Sequence, residues 1–193
     1  MGQALPHLDF YSPESYFQID QKGKRKYEYY FGEIVAMAGG NARHSRICMN
    51  IQFALSLQLK GRPCEVFNSD VKVEVMPNQM YCYPDASVSC HETELSGDTT
   101  LLKQPILLVE VLSPSTALYD LNEKQQAYLQ MPSLLYYLVI ETRKCNIRVH
   151  ERQGQTWNLQ FYTSKEEVII LPQIDITISV ADIYEKVIFS TKK

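Results

Sequence analysis

Two acidic residues and a lysine have the types and the order of a site that acts on phosphate. Glu110 lies inside the apolar run 105–112. Asp85 precedes it on a strand-like segment, and Lys124 follows on a helix-like one. A lone carboxylate is costly to bury unless it is paired or bound to a metal, so Glu110 predicts a partner. Asp85, Glu110 and the backbone carbonyl of Val111 would offer the oxygen ligands that suit Mg²⁺. The ammonium of Lys124 could orient an attacking water or stabilise charge on a phosphorane-like transition state.

Each of these residues also has a structural interpretation that the sequence leaves open. Asp85 directly follows a proline, and aspartate there is often a turn residue or a hydrogen-bonding residue at a strand end. Glu110 could pair with a buried arginine or lysine, although buried ion pairs rarely add stability over an apolar replacement. Lys124 could pack its stem on the core while its amine reaches water.

Three further residues form a second group of candidates. Glu33 follows Gly32 at the start of an apolar strand, where a carboxylate can end the strand or add a metal ligand. His44 lies near the predicted N-terminus of a long helix, where a capping or hydrogen-bonding role is the usual one. Asp120 has Glu123 three positions later, which approaches a capping box. For Glu33 and His44 the structural role remains the alternative, because titratable groups more often lie outside active sites than in them.

The pattern of apolar residues predicts the elements that must position these side chains. A period of two marks strands, and apolar residues at i, i+4, i+7 and i+8 mark the amphipathic helix 42–60. The predicted elements in chain order are a hairpin at 26–31 and 33–38, the helix 42–60, strands within 64–76, at 80–90 and at 106–112, a helix at 118–130, a strand at 134–141, and further strands and a last helical turn between 145 and 188. We therefore expect an α/β (α+β) fold in a single domain over residues 1–193. Its αβββαβ core would surround a mixed sheet, with an N-terminal β-hairpin and a β-rich C-terminal extension.

The composition is that of an ordinary globular protein, 45% hydrophobic and 21% charged. The formal net charge of −3 gives no global attraction to nucleic acid, but it allows a local basic groove. The five cysteines include no C-x-x-C pair, so we expect neither a disulfide framework nor a structural zinc site, and a reducing cytosol fits. No signal-peptide pattern and no apolar run of about 18 residues is present, which predicts a cytoplasmic protein without membrane association.

Five segments carry a resemblance to a known family. They are YYFGEIVAMAG at 29–39, NSDVKV at 68–73, YPD at 83–85, VEVLSPST at 109–116 and YDLNEK at 119–124. In this order and with this spacing they resemble the Uma-two family of putative restriction endonucleases. The similarity runs from about Tyr27 to Val187, which is nearly the whole chain.

The Uma-two family belongs to the PD-(D/E)XK nuclease superfamily, whose core has the αβββαβ order. The resemblance implies that Asp85 is the aspartate of the PD motif and Glu110 the acid of the (D/E)XK motif. It makes Glu33 a candidate for the upstream acid. Leu112 stands where the motif places its lysine, and the family is thought to supply that lysine from the following helix, which implies Lys124.

The residues and the resemblance together predict a Mg²⁺-dependent endonuclease that hydrolyses DNA phosphodiester bonds by in-line attack of water, with Mn²⁺ as a substitute ion. DNA is the expected partner, and a homodimer is expected by analogy. Candidates for contacts to the DNA backbone are the basic loop 22–26, Arg43, Arg46 and Arg62. The alternative is a protein that keeps the nuclease fold and binds nucleic acid or a partner without cleaving.

Overall fold

The computed structural model describes residues 10–23, 25–37, 39–112 and 123–189. Its α-helices are α1 (Pro13–Lys22), α2 (Ala42–Leu59), α3 (Gln125–Gln130) and α4 (Val180–Ile183). Its strands are β1 (Tyr27–Tyr30), β2 (Glu33–Ala36), β3 (Glu65–Asn68), β4 (Lys72–Met76), β5 (Met80–Cys82), β6 (Ala86–Ser89), β7 (Leu101–Leu102), β8 (Leu107–Leu112), β9 (Tyr136–Glu141), β10 (Ile147–Gln153), β11 (Thr156–Tyr162), β12 (Val168–Leu171) and β13 (Ile176–Ser179).

The strands form two larger sheets and a two-stranded ribbon. The six-stranded sheet has the order β11-β10-β9-β8-β6-β3, the five-stranded sheet has the order β2-β1-β5-β4-β7, and β12 pairs with β13. Strands β8 and β9 run parallel, while β8 and β6 run antiparallel, so the six-stranded sheet is mixed. The predicted α/β (α+β) class is confirmed, with β1 and β2 as the N-terminal hairpin.

Helix α2 begins and ends where its sequence predicts. The side chain of Asn41 caps it by accepting hydrogen bonds from the backbone N–H groups of Arg43 and His44. Four apolar residues on one face pack on the six-stranded sheet and are buried: Ile47, Ile51, Leu55 and Leu59. The periodicity therefore located the buried face correctly. The N-terminal turns of α2 lie at the candidate site.

The central strand β8 is buried at all its positions. Val109 and Val111 pack in the core that α2 covers. Leu108 and Leu112 pack in a second core that includes Tyr128 of α3. Because side chains alternate along a strand, Glu110 points to the same side as Leu108 and Leu112.

The predicted strand 80–90 is wrong as a single element. The structure divides it into β5 of the five-stranded sheet and β6 of the six-stranded sheet. The break falls at Pro84, which has no backbone N–H to continue a strand ladder. Asp85 therefore lies at the crossing between the two sheets, immediately before β6.

The predicted helix 118–130 is described only in its second half. Residues 113–122 lie outside the described residues, so the start of that helix is not compared. Glu123 and Lys124 form a π-helical turn that leads into α3. The predicted helical character of residues 125–130 is confirmed.

The sequence predicted no disulfide framework and gave no sign of the single disulfide that the described residues contain, between Cys64 and Cys90. Glu65 and Ser89 are partners in the antiparallel register of β3 and β6, which places the two flanking cysteines opposite one another. Their Cα atoms are 4.0 Å apart. Such a pair depends on strand register, and spacing along the sequence does not reveal it. Cys48, Cys82 and Cys145 are free thiols.

Within the described part of the chain, no helix combines the length and the apolar character that crossing a membrane would require.

Candidate active site

Asp85 lies beside the end of the central strand. Ala86 pairs with Val109 in the antiparallel register of β6 and β8, and one further step brings Asp85 opposite Glu110. The backbone N–H of Val111 donates a 2.7 Å hydrogen bond to Oδ2 of Asp85. The side-chain amide of Gln52, on α2, donates a 2.7 Å hydrogen bond to the Asp85 carbonyl. Both the backbone and the carboxylate of Asp85 are thus held in place.

Glu110 is buried, with 4% of its surface exposed. Its Oε1 accepts a 2.8 Å hydrogen bond from the hydroxyl of Tyr128. The ammonium of Lys124 lies 3.4 Å from the same oxygen. Helix α3 and the turn before it therefore cover the carboxylate with one neutral donor and one cation.

Lys124 is held more closely by a second carboxylate, that of Glu28 in β1. The Lys124 Nζ to Glu28 Oε1 distance is 2.9 Å, and both side chains are buried. Glu28 also accepts hydrogen bonds from the backbone N–H of Tyr83, at 3.0 Å, and from the hydroxyl of Tyr30, at 2.6 Å. The ammonium thus sits between Glu28 and Glu110, which joins the hairpin, the central strand and the turn before α3.

The tyrosines of this network are hydrogen-bond donors. Burial and then the charge of Glu110 raise the pKa of the Tyr128 hydroxyl well above its usual value. Burial, followed by Cys82 and Glu28, raises the pKa of Tyr30 in the same direction. Both hydroxyls therefore keep their protons at neutral pH and donate hydrogen bonds to Glu110 and Glu28.

A second group of side chains faces Asp85 from α2. The Nε2 atom of His44 lies 3.4 Å from Oδ2 of Asp85. The Sγ atom of Cys48 lies 3.5 Å from Nδ1 of His44. Burial and then the Asp85 carboxylate raise the pKa of the Cys48 thiol, so the free thiol stays protonated. An imidazole, a thiol and a carboxylate thus meet at one point.

This point opens into a cavity of about 810 Å³. The cavity is lined by Arg25, Lys26, Met37, Gly39, Gly40, His44, Ser45, Cys48, Gln52, Ser69 and Asp85. Arg25 is exposed at its wall. Lys26 is partly held, because its ammonium donates to the Ser69 carbonyl at 2.7 Å and pairs with Asp70 at 2.5 Å. The cavity therefore offers an anion both an exposed guanidinium and an ammonium that is held in place.

The structure places the predicted site residues in different surroundings. Asp85, Glu110, Val111 and Lys124 lie on adjoining elements around the end of β8. His44 adjoins Asp85. Glu33 is exposed on the edge strand β2, and among the described residues no hydrogen bond or ion pair joins it to these groups. Asp120 lies outside the described residues.

Two of the predicted DNA-contacting arginines make contacts within the fold. Arg62 pairs with the Asp175 carboxylate at 2.7 Å and donates to the Ile174 and Asp175 carbonyls at 3.0 Å. Arg43 lies 3.5 Å from the carbonyl of Thr142. Arg46 is exposed. The contacts of Arg62 make it the least available of the three for a ligand.

Sequence reasoning missed Glu28, Tyr128 and Cys48 as members of this site. Glu28 had a weak signal, since it is a carboxylate inside the aromatic strand segment YEYY. Cys48 had another, since it follows His44 by four residues and so shares its helix face. Tyr128 gave no signal of this kind, because its hydrogen bond to Glu110 depends on how α3 packs.

Known proteins resemble the chain over most of its length. The family model described as "Uma2: Putative restriction endonuclease" matches residues 13–181. An uncharacterized protein of Synechocystis sp. is 34% identical over 179 residues, which cover 92% of this chain and 93% of that protein. A second uncharacterized protein of Synechocystis sp. is 31% identical over 140 residues, with 72% and 79% coverage.

The fold also has a solved counterpart. The crystal structure of a putative nuclease belonging to DUF820 from Anabaena variabilis matches with a TM-score of 0.76 at 14% identity, and the match covers 92% of this chain and 99% of that one. At that identity the likeness shows the fold, and the family follows from the sequence matches. The resemblance seen in the sequence is therefore confirmed, and the chain belongs to the Uma2 family, whose model carries the description putative restriction endonuclease.

Proposed function

We propose that this protein is an endonuclease that hydrolyses DNA phosphodiester bonds with the help of Mg²⁺, which Mn²⁺ can replace. The family description and the nuclease named in the solved counterpart support the general class, a nuclease. The observation that carries the proposal is the position of Asp85, whose carboxylate borders an open, partly basic cavity and adjoins the strand that carries Glu110.

The oxygen donors that these neighbouring strands carry are of the type that suits a hard divalent cation. Mg²⁺ prefers carboxylate and carbonyl oxygens, and Asp85, Glu110 and the Val111 carbonyl are the residues that would hold it. When bound, the ion would neutralise charge on the scissile phosphate and lower the pKa of a water molecule. Asp85 suits this role because its side chain is 14% exposed at the cavity, in contrast to the buried Glu110.

The buried lysine pairs with Glu110 and helps to orient it. The ammonium of Lys124 stands 3.4 Å from Glu110 and 2.9 Å from Glu28, and Tyr128 fixes the Glu110 carboxylate from a second direction. One cation between two carboxylates leaves a net negative site, which favours recruitment of a cation. We therefore assign Lys124 first to holding the acid and second to stabilising charge on the phosphate.

Arg25 is the side chain that best suits a phosphate contact in the cavity, because it is exposed and its guanidinium can bind phosphate oxygens in pairs. Replacing Arg25 by alanine should weaken DNA binding about equally for all sequences. It should also reduce the slope of the logarithm of the binding constant against the logarithm of the salt concentration by about one. Lys144→Ala is the matched control, because Lys144 is 68% exposed and does not line the cavity. Equal effects of the two substitutions would remove Arg25 from the interface.

The test of the reaction is the nicking of supercoiled plasmid. We expect conversion to open circles with Mg²⁺ or Mn²⁺ and protection by a chelator. Asp85→Asn should lower the nicking rate at least about 100-fold. Loss of a metal ligand itself should cost more than the roughly 10- to 100-fold that is typical when a residue supporting a ligand is replaced. Wild-type protein that stays folded and leaves plasmid intact under all of these ions would overturn the proposed reaction.

A second candidate is a protein of this fold that binds DNA without cutting it. The feature that favours it is the pairing of Lys124 with two carboxylates, which leaves less of its charge for a phosphate. Salt-sensitive retardation of DNA in gel electrophoresis, weakened by Arg25→Ala and accompanied by no nicking, would support this candidate over the first.

Sedimentation of the free and DNA-bound protein would test the expected homodimer.

A further inference from the structure

We propose that His44, Cys48 and Asp85 bind Zn²⁺, and that Zn²⁺ at this site competes with Mg²⁺ for Asp85 and holds the enzyme inactive. The metal site itself stands on the geometry of these three residues. Its inhibitory effect rests on the proposed nuclease function, in which Asp85 is a ligand of the activating ion.

The three donors are close enough for one ion. Each residue offers one ligand atom, and these atoms lie within 4.8 Å of one another. Nε2 of His44 is 3.4 Å from Oδ2 of Asp85 and 4.0 Å from Sγ of Cys48. Tetrahedral zinc with bonds of about 2.0–2.3 Å places its ligand atoms about 3.3–3.8 Å apart. Small side-chain rotations are therefore enough to bring all three donors onto a single ion.

Helix α2 and the start of β6 position the three donor side chains. His44 and Cys48 are separated by one turn of α2, so their side chains lie on the same face. The cap at Asn41 fixes the start of that helix. Gly40 packs against the His44 ring so closely that an added Cβ would collide with it. Asp85 is fixed from its own side by Val111 and Gln52.

The chemistry of the donors selects zinc over magnesium. A thiolate and an imidazole are soft or borderline ligands that bind Zn²⁺ strongly, whereas Mg²⁺ requires oxygen ligands. When zinc binds, the sulfur of Cys48 forms the bond to the metal and its proton passes to solvent. The sequence lacked a C-x-x-C pair and so gave no sign of a structural zinc site, and the present site assembles from a helix turn and a distant aspartate.

The surroundings explain why zinc here would inhibit. All three residues line the cavity, so the fourth position of the ion would face its open space and could hold water. Two anionic ligands would offset the charge of Zn²⁺ and weaken its pull on that water. Glu110 is outside the donor set, so the zinc ion would occupy Asp85 without using the other acid of the proposed catalytic site.

Cobalt titration tests the site without reference to activity. We expect Co²⁺ to give a thiolate charge-transfer band in the near ultraviolet, and we expect one equivalent of Zn²⁺ to remove it. Cys48→Ser should abolish the band, and His44→Ala should weaken Co²⁺ binding at least about tenfold. Cys145→Ser is the matched control, because Cys145 is also a partly buried free thiol. A folded wild-type protein without the band, or a band that survives Cys48→Ser, would overturn the site.

Competition tests the shared aspartate. Added Mg²⁺ should weaken the apparent Co²⁺ affinity of the wild-type protein more than NaCl of equal ionic strength. An equal effect of the two salts would refute the sharing of Asp85, whether or not the protein cuts DNA.

Nicking tests the inhibition. In buffers of fixed free Zn²⁺, half-inhibition of Mg²⁺-dependent nicking should need at least about tenfold more zinc for Cys48→Ser than for wild type, each compared with its own zinc-free rate. Equal inhibition of both proteins would contradict the regulatory role while the cobalt band still supports the site. A protein that binds Co²⁺ and nicks no plasmid would remove the nuclease proposal and the inhibition with it, and would leave the zinc site standing.

Discussion

The backbone N–H of Val111 donates a 2.7 Å hydrogen bond to the carboxylate of Asp85. Val111 directly follows Glu110, so the same short segment that carries one acid also fixes the other. The contact lies at the point where β6 begins, because Asp85 directly precedes that strand. The two candidate metal-binding acids are consequently held by the main chain of neighbouring strands, which is a rigid support.

This contact makes Asp85 both a stabilising residue and a candidate ligand, and two substitutions separate the roles. Asp85→Asn keeps an oxygen that can accept the Val111 N–H, so the free energy of unfolding should fall by less than about 1.5 kcal/mol. Asp85→Ala leaves that N–H without its acceptor and should cost about 1–3 kcal/mol. Urea denaturation measures both values. Equal losses for the two variants would show that the hydrogen bond does not anchor the site.

Lys124 compensates two buried carboxylates, and its removal should be among the more damaging single changes. Lys124→Met leaves Glu28 and Glu110 without their shared cation and should lower the free energy of unfolding by about 3–5 kcal/mol. Combining it with Glu28→Gln should recover part of the loss, because one buried charge is then removed. Denaturant unfolding of the single and double variants measures the coupling.

The control for this prediction is Lys103→Met. The Lys103 ammonium lies 3.6 Å from Glu74, but its side chain is 63% exposed, so the change should stay within about 0.5 kcal/mol. A Lys124→Met protein that is as stable as the Lys103→Met protein would mean that the network contributes nothing to folding.

Acid should weaken the fold through Asp20. Burial favours the neutral form of this carboxyl, but hydrogen bonds from Lys72 and Tyr83 outweigh burial and lower its pKa below the ordinary value of 3.8. A lowered pKa in the folded state contributes stability that is present above pH 3.8 and is lost as the pH falls through the lowered value. The destabilisation caused by Asp20→Asn should therefore be larger at about pH 7 than at about pH 3, as measured by urea unfolding.

Asp70 provides the comparison for Asp20. Its pKa is also lowered, chiefly by Lys26, but its side chain is 71% exposed. Asp70→Asn should therefore have a small effect on the free energy of unfolding at both pH values. If the two variants show the same pH dependence, the acid sensitivity does not originate in the buried pair of Asp20 and Lys72.

The disulfide should stabilise the six-stranded sheet. The bond between Cys64 and Cys90 closes a loop with a sequence separation of 26 residues. By restricting the unfolded chain, a bond across a loop of this size should raise the free energy of unfolding by about 2–4 kcal/mol. A reductant should lower the thermal midpoint by a corresponding amount. Replacing both cysteines with serine should do the same and abolish the response to reductant, whereas Cys145→Ser should keep that response.

The elements with strong periodicity could be predicted, because local pattern determined them. The helix at 42–60 was found within one residue, and the central strand that carries Glu110 was found as well. The break of the strand 80–90 had its signal in Pro84, whose missing N–H outweighed the strand-forming residues on either side.

The site was less accessible to sequence reasoning, because its contacts join distant parts of the chain. Asp85 and Glu110 could be proposed as neighbours from the expected strand order. The pairing of Glu28 with Lys124 spans the hairpin and the turn before α3, and no local pattern carries it. The same holds for Cys64 and Cys90, whose meeting depends on the register of β3 with β6.

The ion pair between Glu28 and Lys124 has a consequence for synthesis on the ribosome. Glu28 emerges early, whereas Lys124 follows nearly one hundred positions later. Until the later segment has left the exit tunnel, Glu28 and Glu110 have no shared cation and the Glu110 carboxylate has no Tyr128 beside it. A nascent or truncated chain that ends before Lys124 would therefore lack the cation that its two buried carboxylates share, so we expect the candidate site to assemble only after residues 124–128 have been made.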